Sequence, residues 1–276
     1  MTREPHAPAD DPSVPASRAK GDDGLDAVLA HRLRERANPQ IGDEAFVHLA
    51  DLRDALTCAL MDACGVWLDF GSGTAPYRDL LPNARLVTAD LPGAEAFPVE
   101  YELSMSGSCP CMSESFDGVL STQVLEHVED PRAYLHEAFR VLRSGGRLVL
   151  STHGVWEDHG GTDLWRWTAD GLAEEVRLAG FEVERVGKLT GDARAVLLLL
   201  RRGFMRRAYP ARGVVGLLLT VLRWLDARYG AIDRYSQRQL KSTMGAAEAD
   251  LALYVAVIVE ARRPGNGASD FPALDG

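Results

Sequence analysis

Val66-Trp67-Leu68-Asp69-Phe70-Gly71-Ser72-Gly73-Thr74-Ala75 is the stretch on which the reading of the whole chain turns. An apolar, β-prone run ends in an aspartate and breaks at once into a glycine-rich turn, as a buried parallel strand does when it delivers a loop to its carboxyl edge. Glycines there let backbone amides approach a ligand that any Cβ would hold off. The spacing is not that of the dinucleotide fingerprint: counted from Gly71, the sixth position is Pro76 rather than a helix-packing glycine. Asp90, nineteen residues after Gly71 at the end of the next strand, is placed to accept both hydroxyls of a ribose.

Outward from this turn, apolar runs alternate with helical segments. The strands are expected at 66–70, 85–89, 99–103, 116–121, 147–152, 181–189 and 251–262, and helices at 76–81, 131–142 and 169–179. Ser144-Gly145-Gly146 should stop the middle helix. This is the rhythm of a doubly wound α/β sheet, core residues 65–190 and 249–263. Two helices, 25–37 and 43–63, precede it as an N-terminal flap at 25–64. Residues 1–24 are rich in Pro, Ala and Asp with no apolar signal-peptide core, so they and 264–276 are expected to be disordered tails. Residues 191–248 separate the last two strands where a short hairpin would serve, and are expected to form a helical lid insertion.

Five motifs in order carry a family resemblance across residues 67–189: Asp69-x-Gly71-x-Gly73; Asp90; Ser115-Phe116-Asp117; Leu125-Glu126-His127-Val128-x-Asp130-Pro131; and Arg140-Val141-Leu142-Arg143-Ser144-Gly145-Gly146-Arg147-Leu148. Together they resemble the class I S-adenosylmethionine-dependent methyltransferases of the small-molecule subgroup. The resemblance implies a Rossmann-like, seven-stranded, mostly parallel sheet, its third strand at one edge and its last strand antiparallel. It implies S-adenosyl-L-methionine as cofactor, with contacts at Asp69, Gly71, Ser72, Gly73, Asp90, Leu91, Cys109, Thr122 and Gln123. Ala75 stands where the family usually has a further glycine. The stretch 104–112, SMSGSCPCM, offers no acid for the adenine amine, which leaves backbone groups near Ser108 or Cys109 for that contact.

The same resemblance implies in-line attack of an acceptor on the sulfonium methyl group. For a hydroxyl acceptor a general base near neutral pH would help, and histidine suits it. His153 directly follows the fifth strand at the carboxyl edge and is the first candidate, His159 the second; His127, within a recurrent motif, is expected to be structural or cofactor-side. The glycine-containing loop 153–168 then offers Trp156, Asp163, Trp165 and Arg166 as acceptor-side residues, with Arg166 able either to orient an anion or to pair with Asp163. Thr168 should cap the next helix. O-methylation of a natural-product or glycan intermediate is the expectation; an N-methyltransferase and a nicotinamide-dependent reductase are the alternatives.

Composition sets the outer limits. The chain has 276 residues, 46% hydrophobic and 25% charged, with a net charge of −10, which excludes wholesale disorder and long-range attraction to nucleic acid. The four cysteines, Cys58, Cys64, Cys109 and Cys111, fit neither a disulfide framework nor a paired metal-ligand spacing, so reduced thiols, no metal and a cytoplasmic protein are expected. Within 201–248, ten basic residues stand against three acidic ones, a local +7 interleaved with apolar runs too short to span a bilayer. Such a lid could cover a hydrophobic or anionic acceptor, rest peripherally on an anionic membrane, or join two copies as a homodimer.

Overall fold

The computed structural model describes residues 22–93, 98–159, 162–206, 213–243 and 253–265. Seven strands, β1 (Gly65–Phe70), β2 (Ala84–Asp90), β3 (Tyr101–Glu102), β4 (Phe116–Thr122), β5 (Leu142–His153), β6 (Glu182–Gly191) and β7 (Tyr254–Arg262), form one sheet in the order β3-β2-β1-β4-β5-β7-β6. β1 to β5 pair in parallel, while β7 is antiparallel to both β5 and β6. The expected doubly wound sheet, with the third strand at one edge and the last antiparallel, is therefore present. Chain order reverses between β1 and β4, so their carboxyl ends open the crevice where ligands bind in such sheets.

Strand alternation sends successive side chains of β1 to opposite cores. Leu68 and Phe70 pack with Tyr134, Leu135 and Ala138 of α3 (Pro131–Val141) and Leu172 and Val176 of α4 (Ala169–Leu178). Trp67 faces the other way, onto Leu52, Leu56 and Ala59 of α2 (Phe46–Ala59). α1 (Asp22–Ala37) precedes α2, and Asp130 and Thr168 cap α3 and α4 through backbone amides, the latter as expected.

Local details depart from the pattern. The helix expected at 76–81 is a 3₁₀ turn at Arg78–Leu80, because Gly71, Gly73 and Ala75, all at positive φ, hold the chain in a loop until Pro76. The third strand keeps only Tyr101–Glu102 of 99–103. Ser144-Gly145-Gly146 lies inside β5 as a bulge, with the register to β4 shifting between Phe116 and Gly118. Ala75 at φ 48° occupies the left-handed region, the physical reason a glycine is the easier residue there.

The segment after β6 is helical as expected: α5 (Asp192–Arg206), α6 (Gly213–Tyr229) and α7 (Ala231–Thr243). α5 packs Ala195 and Leu198 inward against Val255, and the segment buries arginines as well. Arg194 donates to Asp51 and Ser236, and Arg201 to Asp226 and to the carbonyls of Gly42 and Asp43, all turned inward. Val214, Leu217, Leu218, Val221, Leu222 and Trp224 of α6 are exposed. Among the described residues no helix is long and apolar enough to cross a membrane. The expectations for 1–24 and for 266–276 fall, but for the first turn of α1, outside the described residues.

Candidate active site

The loop after β1 is anchored to β2, where Ala89 O accepts from Gly71 N at 2.8 Å and from Ser72 N at 3.1 Å. Asp90 then takes Gly73 N on one carboxylate oxygen at 2.6 Å and Leu91 N on the other at 2.7 Å. A Cβ on Gly71 would sit 2.6 Å from Val124 Cγ2, so the loop passes flush against the turn after β4, besides needing φ +80°. Tyr134, which the sequence reading did not single out, stacks on Phe70 and donates to its carbonyl, fixing the end of β1 from α3.

The polar atoms of this loop fit an adenosyl amino-acid ligand. Asp69 Oδ2, Ser72 Oγ, Thr74 Oγ1 and, across the crevice, Gln123 Oε1 are buried without a hydrogen-bond partner among the described residues. Burying donors and acceptors unsatisfied is costly, so this concentration at one strand edge marks a ligand cradle. Burial, and then the neighbouring Asp90 carboxylate, push Asp69 up to about 8, so a cationic ligand would be favoured beside it. Gln123 is held at φ +55°, an outlier of the kind that clusters at functional sites. Thr122, the last residue of β4, pairs with Ser151 beside it. Cys109 is a different matter. Its amide donates to Glu137 of α3 and its carbonyl accepts from Arg140, while Ser108 N donates to Ser104 Oγ within the loop, so both amides already have partners. Burial pushes the Cys109 thiol up to about 12, and all four cysteines are free.

Beside the cradle, at the ends of β4 and β5, lies a cluster of imidazoles. His153 ends β5 with its ring stacked on Trp156, centroids 5.0 Å apart and planes 2° apart; His159 meets it edge-on at 4.9 Å. His48 comes from α2 at 5.3 Å from His153, and His127 lies 5.1 Å from His159. Glu126 is fully buried beneath them, one oxygen accepting from Thr152 Oγ1 at 2.7 Å and the other 3.5 Å from His153 Nε2. Burial holds His48 down to about 3 and His153 far below the usual histidine range, the latter reinforced by His48 and His159. His153, expected as a base matched to neutral pH, thus sits where burial favours the neutral imidazole. His159 is half-buried and lowered less, chiefly by burial.

The loop wall is stitched by Arg166. Its Nε donates to Trp156 O, and its two terminal nitrogens to Asp163 at 2.6 and 2.7 Å and to the carbonyls of Trp165 and Glu157. All five N–H donors are thus engaged, so Arg166 clasps the loop rather than presenting a free guanidinium to an acceptor. Asp163 also accepts from His159 N, and Arg166 holds its carboxyl well below the usual range. Trp165 donates to Val128 O and remains 40% exposed. Trp156 is covered on one face by Arg202 of α5 at 4.6 Å, which also pairs with Glu157. His48 and Arg202 left no signal in sequence, since both reach the site through packing of the flap and lid.

Comparison with known proteins agrees with this geometry. Residues 68–150 match a family model described as a methyltransferase domain. A malonyl-[acyl-carrier protein] O-methyltransferase of Hahella chejuensis is 35% identical over 98 residues, 31% of this chain and 35% of that protein. A ubiquinone biosynthesis O-methyltransferase of Cereibacter sphaeroides is 35% identical over 101 residues, 31% of this chain and 40% of that protein. The chain thus matches well under half the length of these relatives. The crystal structure of the [4+2]-cyclase SpnF superposes with TM-score 0.51 and 19% identity, over 88% of this chain and 95% of that one, which establishes the shared fold alone. On its sequence motifs, its sheet and the match over residues 68–150, the chain is similar to S-adenosyl-L-methionine-dependent methyltransferases in that segment and shares their fold.

Proposed function

We propose that the chain is an O-methyltransferase that uses S-adenosyl-L-methionine to methylate a hydroxyl of a small-molecule acceptor, of the size and polarity of a natural-product or glycan intermediate. The observation that carries the reading is the set of buried, unpaired polar atoms on Asp69, Ser72, Thr74 and Gln123 around the glycine loop. Asp69 would face the cationic amino-acid part of the cofactor. Asp90, which keeps a lone pair on each oxygen beyond its amide bonds, would take the ribose hydroxyls. Bound there, the cofactor supplies a methyl group already activated by the sulfonium charge, so the protein has chiefly to position and desolvate the acceptor. Trp156 and Trp165 would wall the acceptor side, with Arg166 and Asp163 fixing that wall. The acceptor hydroxyl would lose its proton on the side of the Glu126–His153–His159 cluster, whose accessible member is His159.

Calorimetry with S-adenosylhomocysteine and with NAD tests the class of cofactor. Binding of the first and not the second is expected; tight NAD binding alone would overturn the reading. With an acceptor in hand, His159→Ala should lower turnover at least about tenfold for oxygen transfer. Undiminished turnover in both His153→Ala and His159→Ala would point to nitrogen transfer instead.

A further inference from the structure

We infer that Glu126, His153 and His159 form a binding site for one divalent transition-metal ion of the zinc type, seated at the acceptor side of the cofactor cradle. One ligand atom from each residue lies within 4.8 Å of the other two. Glu126 Oε1 and His153 Nε2 are 3.5 Å apart, a separation near that of neighbouring ligands around a small cation, yet Oε1 has no hydrogen-bond partner among the described residues. Nδ1 of His153 is likewise buried and unpaired among the described residues, while Nδ1 of His159 faces Asp163 and leaves Nε2 as that ring's free ligand atom. A fully buried carboxylate oxygen aimed at two imidazoles with no donor on it calls for a cation, since an unsatisfied buried carboxylate is among the most costly groups to retain.

The surroundings are those of an oriented ligand set. Thr152 Oγ1 holds the other Glu126 oxygen at 2.7 Å, Trp156 stacks on the His153 ring, and Asp163 Oδ2 lies 3.2 Å from His159 Nδ1 while Arg166 grips the same carboxylate. Carboxylates and hydroxyls in this second layer fix tautomer and ring direction at metal centres. Two imidazoles and a carboxylate select zinc and its first-row neighbours over magnesium or calcium, and three protein ligands leave positions for a bound oxygen. The ligands stand far apart in sequence and owe nothing to cysteine spacing, which is why a reading from cysteines expected no metal. The role of the ion rests on the methyl-transfer reading: it would bind the acceptor hydroxyl in place of direct proton acceptance by His159. The hydroxyl proton then leaves to solvent as the oxygen takes the methyl group from the sulfonium sulfur, releasing S-adenosylhomocysteine.

The full chain, stripped with a chelator and dialysed, is titrated with Co²⁺ followed by its visible absorption, then with Zn²⁺ in competition. One Co²⁺ per chain, displaced by Zn²⁺ and bound at least about tenfold more weakly in both Glu126→Gln and His159→Asn, is expected. His136→Asn, on the exposed face of α3, should bind as the parent does. No saturable Co²⁺ binding, or binding that both site variants leave unchanged, would overturn the site. Circular dichroism and S-adenosylhomocysteine calorimetry on each variant report the fold and the cradle separately. Metal binding without S-adenosylhomocysteine binding therefore removes the methyl-transfer role but not the site, and the converse removes the site alone.

Discussion

Asp69 shows how a single carboxyl group can oppose folding and serve binding. Its folded-state value is pushed up from 3.8 to about 8, above the unfolded one, so its contribution to stability is whole below pH 4 and is lost as the pH rises through 8. Asp69→Asn should accordingly unfold like the parent near pH 4 and be more stable by over about 1 kcal/mol at pH 9, in urea titrations at both pH values. The same variant should bind S-adenosylhomocysteine at least about tenfold more weakly by calorimetry, because it cannot form the carboxylate that the ligand's ammonium would stabilise. Equal stability of the two proteins at pH 9 would mean that Asp69 does not sit in a dry pocket. Asp69, like Asp90 and the glycines, was legible in sequence because its neighbours along the chain set its place at a strand end. Arg166 was only half legible. Its partner Asp163 lies three residues away, but the carbonyls that absorb its remaining donors are arranged by the folded loop.

At the level of elements, the sheet was readable because buried parallel strands announce themselves as apolar runs, and its lapses fall where the backbone is irregular. The three positive-φ residues after β1 shorten the following helix to a turn, and the glycine pair in β5 makes a bulge where a helix stop was expected. A tertiary feature hidden from such a reading is the fit of β1 to β4. Trp67 pairs across with Gly118, and a Cβ on Gly118 would lie 2.3 Å from the indole, so the large ring is accommodated only because its neighbour has no side chain. Gly118→Ala should lower stability by about 1–3 kcal/mol, through overpacking of a ring that the α2 core holds in place. Denaturant unfolding reads it directly. A neutral substitution would show that Trp67 can swing away from the sheet, against its burial among Leu52, Leu56 and Leu120.

For the whole molecule, the net charge of −10 and the local +7 of the lid are poor guides to what each surface presents. Arg201 is at most 8% exposed and spans three parts of the chain: Asp226 at the end of α6, Asp233 in α7, and the Gly42 and Asp43 carbonyls before α2. It therefore ties the lid to the flap without touching a strand. Replacing it by Met leaves two buried carboxylates without their cation, a loss of about 3 kcal/mol or more by comparison with other buried pairs broken from one side. The effect should be local: hydrogen exchange should quicken across Asp192–Thr243 and around residues 42–46 while β1, β4 and β5 keep their protection. Adding Asp226→Asn and Asp233→Asn to Arg201→Met should recover part of the stability, since the penalty comes from the stranded charges rather than from the missing contact. If the triple variant is less stable than Arg201→Met alone, the guanidinium's bonds to the flap carbonyls, and not its neutralisation of the two acids, are what hold the lid down.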